Sequence, residues 1–77
     1  MFEKSKLKKE IKKSIERINF LEQKRVRSQA ALVEAILKNT QPNDDDVDYF
    51  NQFTEKIDAE RENLKRLQNE LEELTNK

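Results

Sequence analysis

A chain of 77 residues with no net charge, 42% charged and 34% hydrophobic, bounds one domain near the lower limit for an independent core. Glycine, cysteine and histidine are all absent. That excludes folds built on several tight turns with positive φ, disulfide frameworks, Cys-based zinc sites and catalysis resting on the commonest general base. Low hydrophobicity with many charges suits disorder as well as long helices. The sustained apolar periodicity decides for helix.

Residues 3–38 hold neither glycine nor proline. Leu7, Ile11, Ile15, Ile18 and Leu21, continued by Val26, Leu32, Val33, Ile36 and Leu37, form one stripe at helical spacing. Glu22, Arg25 and Gln29 interrupt it. One continuous helix is expected, with a break near Arg27–Ser28 as the alternative. The helix should stop near Asn39, which tolerates the left-handed C′ conformation, and Pro42 follows three residues later. Gln41, before the proline, is biased to an extended backbone.

Asn43 suits an N-cap, and Asp44, Asp45 and Asp46 fill a first turn whose amides are otherwise unpaired. The second helix is expected over about 44–75, with a turn over 39–43. Its apolar residues fall on two ladders with a seven-residue repeat: Phe50, Ile57, Leu64, Leu71, and Phe53, Glu60, Leu67, Leu74. Glu60 is the one polar rung. A helix with such a seam must be covered by another helix.

Folding at Gln41–Asn43 gives an all-α antiparallel hairpin whose paired residue numbers total about 85 or 86. That register sets Ile36 by Phe50, Val33 by Phe53, Ile18 by Leu67 and Ile15 by Leu71. It also places Arg25 opposite Glu60 and Glu22 within a turn of Arg61. These four form a polar layer that fixes register and partner choice, usually with some loss of stability. Both stripes span roughly 140°, wider than a two-helix seam requires. A second copy forming a four-helix bundle, or another protein, is the expected cover.

Charge is segregated although its sum is zero. Residues 1–39 carry 11 Lys/Arg against 5 Asp/Glu, and residues 40–77 the reverse, 5 against 11. Lys6, Lys9, Lys13, Arg17, Lys24 and Arg27 share one face, with Phe2 and Phe20 among them. A basic row with an aromatic can hold phosphates and stack a base, so nucleic acid is the alternative partner to protein. The bland reading is a solvated lysine-rich face. The acidic run Asp44–Asp48 lacks the alternating ligands, sixth-position glycine and closing glutamate of a calcium loop, and first-turn acids explain it. Ser5, Ser14 and Ser28 have no histidine to activate them.

No cofactor, metal or small-molecule substrate is expected, and no enzyme activity. No stretch approaches the roughly 20 apolar residues of a membrane span. The expected protein is a cytoplasmic accessory or regulatory subunit acting by protein contact. Its lysine- and asparagine-rich composition suits an AT-rich bacterial or phage genome.

Overall fold

The computed structural model describes residues 2–76, of which Phe2 is described in its backbone alone. Helix α1 spans Phe2–Leu37 and helix α2 spans Asp44–Thr75; among the described residues there is no strand. They pack against each other as an antiparallel hairpin, a rod of 57 × 17 × 14 Å. The long axis is simply the length of α1, whose 36 residues rise about 1.5 Å each. α1 runs unbroken through Arg27–Ser28.

The turn is closed by its own backbone. Asn39 adopts φ 56°, and its amide donates to the Ile36 carbonyl at 3.1 Å. The Thr40 amide donates to the Ala35 carbonyl at 2.9 Å, and the Thr40 hydroxyl donates to the same oxygen. These are the paired bonds of a Schellman motif, with asparagine standing where glycine is usual. Asn43 then caps α2 from an extended backbone (φ −65°, ψ 133°), its Oδ1 accepting from the Asp45 amide at 3.0 Å.

The seam of α1 differs from the expected stripe. Leu7, Ile11, Ser14, Ile18, Leu21, Arg25, Ser28, Leu32 and Ala35 alternate at spacings of four and three, and every one is buried or half-buried. Ile15, Val26, Val33, Ile36 and Leu37, assigned to the core side from hydrophobicity, are instead exposed. The reason is geometric. A two-helix contact needs a repeat of 3.5 residues, and position decides burial before residue type does. Ser14, with no exposed surface, and Ser28 occupy seam rungs because small side chains let the helices approach closely. On α2 both predicted ladders face the seam throughout, with Ile57 and Leu67 buried. Complete burial of Ile57 contributes about 1.5–3 kcal/mol.

The register also differs. Cross-helix hydrogen bonds join Ser14 and Arg17 to Glu60, Arg25 to Thr54, and Glu22 to Arg61. These residue numbers total 74 to 83, all below 85 or 86, and the pair with the shortest reach, Ser14 with Glu60, totals 74, as Arg25 over Phe50 totals 75. Measured at Glu60, whose partner is Ser14 and not Arg25, the difference is eleven residues, about three turns of helix. Rungs that alternate at four and three fall on rungs again after such a slip, so polar rungs and the turn must choose. In the observed register the last turn of α1 projects beyond the start of α2. Ile36 and Leu37 are accordingly 67% and 79% exposed.

Candidate interaction surfaces

Three surfaces carry the residues singled out in the sequence: a polar layer inside the seam, a basic face on one flank, and an uncovered apolar ladder on the other.

Glu60 is the centre of the polar layer. Its Oε1 accepts from the Ser14 hydroxyl at 2.7 Å, from Arg17 Nε at 3.1 Å and from Asn63 Nδ2 at 3.3 Å. Arg66 extends the chain of bonds by donating to Asn63 Oδ1 at 2.8 Å. The Ser14 bond foremost, then Arg17 and Asn63, hold the Glu60 carboxyl below its ordinary pKa, although partial burial pulls the other way. With 18% of its side chain exposed, Glu60 is a charge kept in the seam by three donors.

The expected Arg25–Glu60 pair is not formed. Arg25 donates to the Thr54 hydroxyl at 3.3 Å and lies over the Phe50 ring at 5.8 Å. The change of register accounts for this, since it carries Glu60 down the seam to Ser14 and Arg17. Arg61 donates to Glu22 at 2.8 Å, so those two members of the anticipated layer do meet. Ser14, Asn63, Arg66 and Thr54 escaped the sequence reading. The signal for Ser14 was present: it continues the four-three spacing from Leu7 and Ile11.

On the basic face, Lys6, Lys9, Lys13, Phe20 and Arg27 are exposed and Lys24 is half-buried. Lys24 Nζ sits 5.3 Å from the Phe20 ring centre, a cation–π contact on the surface. Arg17 is drawn out of the row towards Glu60, and Lys13 approaches Glu10 at 4.0 Å. The Phe2 side chain lies outside the described residues. Phe20 flanks a shallow depression with Lys13, Glu16, Arg17 and Leu21. Lys6, near the start of α1, shares a groove with Glu3 and Glu10 of its own helix and Glu70 and Glu73 of α2, but the two ion pairs that cross the seam among the described residues lie elsewhere.

The uncovered ladder is Val26, Ala30, Val33 and Leu37, joined at its edge by Ile36. It occupies the loop-proximal half of α1, on the flank away from the lysine row. The acids Asp44, Asp45 and Asp46 stay in the first turn of α2, and among the described residues no group of His, Cys, Asp or Glu is placed to hold a metal ion. No described helix is long and apolar enough to cross a membrane. In comparisons with known proteins, no family model, no curated protein and no solved structure matches this chain.

Proposed function

We propose that this hairpin is a non-enzymatic protein that acts by contact with other protein chains, as a cytoplasmic accessory or regulatory subunit. One observation carries the reading: Val26, Val33, Ile36 and Leu37 are exposed on neighbouring turns of one helix although the seam is already closed without them. Large apolar side chains grouped in this way mark a surface that another chain covers. A second copy of the hairpin is the simplest cover, and a four-helix bundle the wider arrangement it belongs to.

The alternative is a nucleic-acid-binding hairpin. It is favoured by exposed Phe20 between Lys13 and Lys24, with Lys6, Lys9 and Arg27 continuing the row. A mobility-shift assay with single- and double-stranded probes across salt concentrations separates the two. Phosphate contacts give retention that falls steeply with salt. The protein-contact reading expects no retention at low salt and capture of a partner that is lost on Val33→Asp with Leu37→Asp. Salt-sensitive retention abolished by Phe20→Ala and Lys13→Ala would replace it with the alternative.

A further inference from the structure

The ladder outside the seam repeats the geometry of the seam itself. Val26, Ala30, Val33 and Leu37 recur at spacings of four, three and four, all are exposed, and they line one shallow groove with Gln29 and Glu34. Two helices bearing this spacing can interleave along it. We infer that the ladder pairs with the same ladder of a second copy, antiparallel, about a two-fold axis level with Ala31 and Leu32. Leu37 then packs against Val26 of the second copy and Val33 against its Ala30, with Ile36 covering Gln29.

Charge selects the direction. Arg27 and Glu34 stand on the same flank of the ladder, seven residues apart. An antiparallel pairing centred between residues 31 and 32 brings Arg27 of each copy to Glu34 of the other, twice by symmetry. A symmetric parallel pairing would instead turn Arg27 and Glu34 towards the Gln29 and Ile36 flank of the other copy, leaving both charges without a partner. Among the described residues Arg27 forms no ion pair, and Glu34 holds only Lys38, at 2.7 Å on an exposed turn. Such an exposed pair contributes little and does not compete with a new interface.

The pairing is short, about three turns of each helix, so the dimer should form in the micromolar range and depend on concentration. The two hairpins overlap only along their loop-proximal halves and point in opposite directions. This narrows the side-by-side bundle to a staggered one. It deepens the protein-contact reading by naming the partner as a second copy, and rests on that reading for the role of the ladder.

Sedimentation equilibrium of the full chain between about 1 and 500 μM tests it. The wild type should be dimeric at the upper end. Val33→Asp with Leu37→Asp, both at exposed positions, should be monomeric with unchanged helicity by circular dichroism. Arg27→Glu and Glu34→Arg should each weaken the dimer at least tenfold, and the two combined in one chain should restore it. Because the chain has no cysteine, mixing Ala30→Cys chains with Val33→Cys chains should give mainly the mixed disulfide on oxidation. A wild type that stays monomeric throughout overturns the pairing while leaving the ladder open to a different protein. A dimer that survives the two aspartates, or a charge swap no better than its single changes, overturns it equally. Salt-dependent retention of nucleic acid bears on the protein-contact reading and leaves the dimer measurement untouched.

Discussion

Substitution of Glu60 probes the polar layer at its centre. Glu60→Ala leaves the hydroxyl of Ser14 buried without its acceptor and should destabilise the hairpin by about 1–3 kcal/mol in urea unfolding. Ser14→Ala combined with Glu60→Ala should show a coupling of about 0.5–3 kcal/mol, whereas Arg25→Ala and Glu60→Ala should add to within about 0.5 kcal/mol. Strong coupling between Arg25 and Glu60 would mean that the helices sit about eleven residues away from the register described. The same carboxylate sets a pH dependence. Its pKa is lowered in the folded chain, so its contribution is complete above the unfolded-state value of about 4.3 and is lost as pH falls through the lower folded value. The stability difference between the wild type and Glu60→Gln should therefore hold steady from pH 7 to about 5 and shrink towards pH 2. Thermal melts across that range check it, and a gap that persists unchanged in acid would remove Glu60 as its source.

At the level of the helices, the turn rests on two asparagines. Asn39→Val places a β-branched residue at φ 56° and should lower stability by about 1–2 kcal/mol, while Asn39→Gly should not. Asn43→Ala removes the acceptor for the Asp45 amide and should lower it by about 1 kcal/mol. Equal melting temperatures for Asn39→Gly and Asn39→Val would show that the left-handed residue is not what ends α1. These two positions were readable from the chain, because capping is local chemistry: Asn39, Pro42 and Asn43 announce a stop and a start within five residues. So were both ladders of α2, where hydrophobicity and seam position coincide. On α1 they part company. Ser14 and Ser28 hold seam rungs while Ile15, Val26 and Val33 lie outside, and no hydrophobic pattern reports a rung filled for closeness of approach. Register was hidden for a different reason: rungs spaced four and three apart fall on rungs again after a slip of whole rungs. The choice lies in one carboxylate and the donors within its reach.

For the whole molecule, the register is the quantity that fixes which surfaces are left open. Cysteine pairs measure it directly in a chain that has none of its own. Ser14→Cys with Glu60→Cys should oxidise rapidly within one chain in the observed register. Ile11→Cys with Leu74→Cys should do so only after a slip of about 16 Å along the axis. Faster closure of the second pair would move the last turn of α1 back against α2 and cover part of the exposed ladder. The elongated shape has an electrical consequence as well. Of the described residues, those in the open-ended half, 2–19 with 59–76, include ten Lys/Arg and eight Asp/Glu, whereas residues 20–58, at the loop, include five against eight. A rod 57 Å long, several Debye lengths at physiological salt, thus carries a permanent electric moment along its axis, positive at the termini and negative at the turn. A lone hairpin would turn to align in an applied field. Two hairpins joined head against tail would cancel each other's moment and feel no torque.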